Sequence, residues 1–181
     1  MVTAMFLGLV PAGSTAAAQQ RPHRIPDRVM LQPEDLGGAL PGPVEDGLVW
    51  PLLPQPCAGT PVPQPAVSRS QAADVGTSRV YENVARYRGD GARAYVTALK
   101  EQFDRCGAGG GDNGLDPVAY DHLGPGTVLF TGNYDEGDRY VGYVAAAVGR
   151  HVVVVMISDP RGAPDLTRLN GFANAAITRA A

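Results

Sequence analysis

Lysine is almost missing from this chain: Lys100 stands alone among fifteen Lys and Arg residues. With the heavy use of Ala, Gly and Pro, this is the composition of a GC-rich genome such as an actinobacterium's, and it carries no chemistry. Histidine is scarce as well. His23, His122 and His151 are isolated, with no HExxH or paired CxxC spacing, so no metal site and no catalytic cofactor are expected. No serine sits in a GxSxG elbow. The glycine-rich run 107–114 lacks the Lys-Ser/Thr of a phosphate loop and follows no strand, so it reads as a surface loop. Asn133, Asp135, Glu136 and Asp138 gather at a turn without EF-hand spacing, and read as a solvated hairpin. No apolar run approaches the about 20 residues of a membrane span; His151–Ile157 is far too short. A net charge of −3 leaves no basic excess for nucleic acid.

What is present begins with a leader. Ala4–Val10 is a short apolar core, Pro11 and Gly13 break it, and Ala16-Ala17-Ala18 is a small-residue site that signal peptidase accepts. Residues 1–18 are therefore expected to be an export signal, which makes the protein secreted, extracellular or retained at the cell wall. No Lys or Arg precedes the apolar core, so an upstream start or a buried N-terminal helix is the alternative. Gln19–Asp27, polar and holding Pro22 and Pro26, reads as a flexible arm. Residues 28–181 then form one domain, long enough to bury a core.

There are two cysteines, Cys57 and Cys106. An even count in an exported chain points to a disulfide, with two buried free thiols as the alternative.

Leu31–Gly38 reads as a short helix, with Pro33 at its first position and glycines at its end. Residues 41–65 carry prolines too closely spaced for a helix or central strand. They also hold Trp50, Leu52, Leu53 and Cys57, so an extended segment packed on the body is expected. Val80–Tyr87 reads as a strand. Asp90–Cys106 is the clearest helix, with Tyr95, Val96, Leu99, Phe103 and Cys106 on one face. The period then changes to two. Asp116–Leu123, Thr127–Tyr134, Arg139–Val148 and His151–Ile157 read as an antiparallel meander, with hairpin turns at Asp135–Asp138 and Gly149-Arg150. The last of these has no polar face, so it should be covered on both sides. Pro164–Ala180 is a final amphipathic helix. The fold class is α+β: an antiparallel sheet of about five strands with helices packed on it, and one disulfide.

Two groups of residues are candidates for function. Tyr134, Arg139, Tyr140 and Tyr143 flank one hairpin beside Gly132 and Gly142. Tyrosine offers a flat apolar body with a polar tip, and glycine permits close approach to the backbone, so the set can line a ligand cleft. The alternative is that the rings pack under the helices. Ser158 and His122, with Asp121 or Asp159, are the least unsuitable candidates for a hydrolase, and a triad depends on geometry.

The leader, the LQPEDLGG turn, the WPLLPQPC segment, the YRGDGARAYVTALKEQFDRCG helix and the closing strands with their C-terminal helix resemble the PknH-like extracellular sensor domain of actinobacteria. The resemblance covers about residues 28–180 and rests on placements of cysteine, tryptophan and helix. It implies a sheet with helices, a central cleft for an unidentified ligand, and disulfides, commonly two where this chain can make one. Such domains occur on receptor serine/threonine kinases and as free secreted or lipid-anchored proteins. This sequence carries neither kinase portion nor membrane span, so a stand-alone secreted member is expected. The expected function is non-enzymatic binding of an extracellular small molecule or cell-wall component. A secreted hydrolase, or an interaction or inhibitor module that offers its Pro-rich segment to a protein partner, are the other classes.

Overall fold

The run Val152–Ile157, apolar on every side, lies near the middle of a six-stranded antiparallel sheet. The computed structural model describes residues 24–46, 48, 51–57, 61–106, 114–134, 139–160 and 162–181. The expected signal peptide, most of the arm, Trp50, all but the last residue of the glycine-rich run and the turn at Asp135–Asp138 lie outside the described residues.

Single turns of 3-10 helix at Asp27–Val29 and Pro33–Leu36 come first. β1 (Val67–Val75), β2 (Ser78–Arg86), α1 (Gly91–Cys106), β3 (Leu115–Tyr120), β4 (Thr127–Tyr134), β5 (Arg139–Val148), β6 (His151–Asp159) and α2 (Leu166–Ala180) follow. The strands lie in the order β1-β2-β6-β5-β4-β3. A β1–β2 hairpin and a β3-to-β6 meander thus join through the β2–β6 pair, while α1 carries the chain from the hairpin to the far edge.

β1 is a strand beyond those expected. Its sequence, VSRSQAADV, is poor in β-branched and aromatic residues, and the pairing with β2 across nine register positions overrides its weak propensity. The helix expected over Leu31–Gly38 is a 3-10 turn. Pro33 opens it, the side chains of Gln32 and Asp35 form a capping box, and Gly37 closes it at φ 64°. The expected arm ends early, because Ile25 is 1% exposed and belongs to the core. β3 stops at Tyr120, with a register shift at Val118, and His122 lies in the turn that follows rather than on a strand face with Val118 and Tyr120.

Alternation along the strands divides the core into two. On one face Tyr95, Leu99 and Phe103 of α1 meet Phe130, Tyr143 and Met156. The rings are in direct contact: Phe103 and Phe130 are 5.1 Å apart, and Phe130 stacks on Tyr143 at 4.7 Å. On the other face, Leu169, Phe172 and Ala176 of α2 cover Val84, Val144, Val153 and Ile157. Asp165 caps α2 by accepting from the Thr167 and Arg168 amides, both at 3.0 Å.

Each face also carries an irregular strap. Residues 24–38 lie over the α2 face, where Ile25, Met30, Leu31 and Leu36 are buried. The chain rounds the β1 edge through a Gly42–Ala72 bridge, which pairs part of an otherwise open edge. Leu48, Leu52, Leu53 and Val62 then pack on the α1 core. The Cys57–Cys106 disulfide, with Cα atoms 6.2 Å apart, fastens this second strap to the last turn of α1. Among the described residues no helix is long and apolar enough to cross a membrane.

Candidate functional site

The two tyrosines of the hairpin whose side chains are described, Tyr140 and Tyr143, do not share a face of the sheet. Tyr143 is fully buried between Phe130 and the α1 face. Tyr140, three residues away, points to the opposite face and is 38% exposed. The side chains of Tyr134 and Arg139 lie outside the described residues. Gly142 does allow a close approach, but by α2: a Cβ there would stand 3.0 Å from Leu169, 3.1 Å from Leu166 and 3.2 Å from Pro164. The glycine seats the helix on the sheet. Tyr143 is a core residue, as the alternative reading of these rings had it.

The hydrolase candidates do not assemble. Ser158 and Asp159 are successive on β6, so they face opposite sides of the sheet. Asp159 accepts from the Ser78 hydroxyl at 3.2 Å. His122 lies two residues past Tyr120, the last residue of β3, and the register aligns Tyr120 with Val154 through Val128 and Ala145. Ser158 is therefore about 13 Å along the strand and about 14 Å across it from that position. The His122 ring Nε2 is instead 2.9 Å from Asn170 Oδ1 on α2, and Lys100 engages Asp121 at 2.7 Å. Among the described residues there is no cluster of three or more His, Cys, Asp and Glu fit to hold a metal.

A buried carboxylate stands out on the α2 face. Glu82 is 1% exposed, and its two oxygens accept from the Leu31 amide at 3.1 and 2.9 Å. Gln71 donates to it at 2.8 Å and also to the Leu31 carbonyl at 2.8 Å. Burial pushes the Glu82 carboxyl up to about 7, against the pull of those donors. The group lines a small gap under the first strap and holds that strap through the Leu31 amide.

An open recess of about 930 Å³ lies where β2 ends and β5 turns into β6. Three pieces of chain bring arginines to it: Arg28 from the first strap, Arg86 and Arg88 from the end of β2, and Arg150 from the β5–β6 turn. His151 opens β6 directly opposite Arg86 in the register. Burial and the charge on Arg86 hold its imidazole below the usual range. The Tyr87 amide donates to the Arg150 carbonyl at 2.8 Å, which fixes the turn against the strand end. Tyr87 is buried and its hydroxyl has no hydrogen-bond partner. Pro26, Val29 and Val148 are among its apolar lining, and no Asp or Glu side chain lines the recess, though the last residue, Ala181, does. A smaller hollow of about 320 Å³ adjoins it and shares Ala66, Tyr87 and Arg88.

Sequence reading did not find this site. Arg28, Arg86, Arg88 and Arg150 are scattered along a chain whose cations are nearly all arginine, so none stood out. The one available signal was the run Arg86-Tyr87-Arg88, two arginines about a tyrosine at a strand end.

The fold is similar to that of a solved structure, the extracellular domain of PknH from Mycobacterium tuberculosis. The TM-score is 0.53 at 12% sequence identity, over 88% of this chain and all of that one. At that identity the likeness is one of fold alone. No family model and no curated protein matches the chain.

Proposed function

We propose that this chain is a secreted, non-enzymatic ligand-binding domain of sensor type, a member of the PknH-like extracellular sensor family. The observation that carries the reading is the open recess of about 930 Å³, within the size range of small-molecule sites, lined by arginines from three chain segments together with apolar residues. The fold shared with an extracellular domain and the Cys57–Cys106 disulfide support it. The ligand is an extracellular small molecule or a cell-wall component, and binding needs no cofactor.

Native mass spectrometry of the protein recovered after export from a secreting host tests this reading. The expected species starts at Gln19, lacks both thiol hydrogens, and releases a small co-purified mass on activation. An intact, reduced chain held inside the cell with nothing bound would overturn it.

A further inference from the structure

We infer that the recess between the β2 end and the β5–β6 turn binds a ligand with two or more phosphate groups, anchored by Arg28, Arg88 and Arg150. The inference rests on the ligand-binding reading above and adds the chemical class.

Charge is the first argument. The chain has fifteen Lys and Arg against eighteen Asp and Glu, yet the exposed Arg28, Arg88 and Arg150 line one recess that no Asp or Glu side chain lines, and the terminal carboxylate of Ala181, also in the lining, offsets only part of their charge. Asp27, next in sequence to Arg28, is not spent on the recess; it pairs with Arg69. A concave surface with an excess of one sign concentrates field and draws a counter-charge.

Geometry is the second. Guanidinium presents a planar fork that meets phosphate oxygens in pairs. A phosphate group carries up to two charges and three strong acceptors, so two or more of them answer several forks where one carboxylate would leave positive charge unmet. The recess is also too large for a single inorganic ion, and Pro26, Val29 and Val148 give a non-ionic part of the ligand somewhere to rest. Arg28, Arg88 and Arg150 are exposed and come from separate segments, so they can close on a ligand from different sides.

The test is titration calorimetry of the full chain with sodium tripolyphosphate. In parallel, flotation with phosphatidylcholine vesicles, with and without cardiolipin, asks whether the phosphates belong to a free molecule or to a lipid headgroup. Binding should weaken steeply with added salt. Arg150→Glu and Arg88→Glu should each weaken it about tenfold or more. Arg93→Glu, the same charge change on the exposed side of α1, should cost less than about threefold. Binding of tripolyphosphate with that pattern supports the inference with a soluble ligand. Binding only to cardiolipin vesicles with that pattern supports it with a headgroup. Equal weakening by all three variants, or no binding to either probe, overturns it. A co-purified mass free of phosphorus and indifferent to Arg150→Glu would remove the phosphate class and leave the ligand-binding reading standing.

Discussion

The two faces of the sheet are each held down by an irregular strap, and the two are fastened by different chemistry. Over α1, residues 51–57 are tied by a covalent bond, Cys57–Cys106. Neutral hydrogen bonds help: Tyr95 donates to the Pro54 carbonyl at 2.7 Å, and the Cys57 amide donates to Gln102 at 3.2 Å. Over α2, residues 24–38 are tied by a buried carboxyl and by ion pairs. Glu82 takes the Leu31 amide, Arg69 pairs with Asp27, and Arg179 pairs with Asp35 and Glu34. The α1 strap answers to redox conditions and the α2 strap to pH and salt. The charged strap is also the one that delivers Arg28 to the recess.

The largest effect expected from this contrast is loss of the bridge. Its cysteines are 49 residues apart, and a loop of that length gives about 4 kcal/mol in the chain-entropy model. The double variant Cys57→Ser, Cys106→Ser should lose stability of that order in urea unfolding, and reductant should do the same to the parent protein but not to the variant. A loss under about 1 kcal/mol would mean that Tyr95, Gln102 and the leucine contacts hold the α1 strap unaided, and the contrast between the straps would fail.

Next in size is the pH response of the other strap. The Glu82 carboxyl sits near 4.5 in an unfolded chain and is pushed up to about 7 in the fold by burial, with a further upward push from Asp35 and an opposing pull from Arg179. A group raised in this way contributes stability that is fully present below about 4.5. It is lost progressively as pH rises to about 7, because the unfolded state gives up its proton first. The span corresponds to about 3 kcal/mol. His151 is shifted the other way, so its contribution falls as pH drops, and Asp27, Glu45 and Asp121, all lowered, act in the acid range. The comparison with Glu82→Gln isolates the one group. The difference in stability between parent and variant should change by about 3 kcal/mol between pH 4 and 8, and parallel curves would show that Glu82 does not titrate across that range.

How much of this could be read in the sequence depended on whether the signal was periodic. α1, α2 and the strands β4 to β6 carry clean apolar periods, and their limits lie within a few residues of those expected. The cysteines pair as their count suggested. β1 escaped because Ser68, Ser70 and Gln71 stand where a strand usually shows branched or aromatic side chains, and only the pairing with β2 makes sense of them. Glu82 escaped for a related reason: in sequence it is a polar residue in the strand segment Val80–Tyr87, and the amide it accepts from is 51 residues away. The tyrosine hairpin misled because residue type alone does not say which face a ring takes. Tyr140 and Tyr143 are separated by an odd number of positions, and that spacing already assigns them to opposite sides of a strand. The arginines of the recess share no period at all, since tertiary structure alone gathers them.

The smallest effect separates local opening from global unfolding. Arg179, in the last turn of α2, pairs with Asp35 and Glu34 of the first strap. Glu34 is largely exposed and Asp35 keeps its bond from the Gln32 amide at 2.8 Å without Arg179, so Arg179→Ala should cost about 1 kcal/mol and less in high salt. Where that cost falls is the informative part. If the charged strap opens as a unit of its own, hydrogen exchange at the Leu31 amide should quicken about fivefold while amides in α1 keep their rates. If strap and sheet unfold together, both should quicken by the same factor. The first outcome would mean that Arg28 can leave the recess without disturbing the disulfide-bound face, so that the site can open while the rest of the domain stays folded. The second would make the recess as rigid as the sheet it caps, with both straps acting as parts of one core.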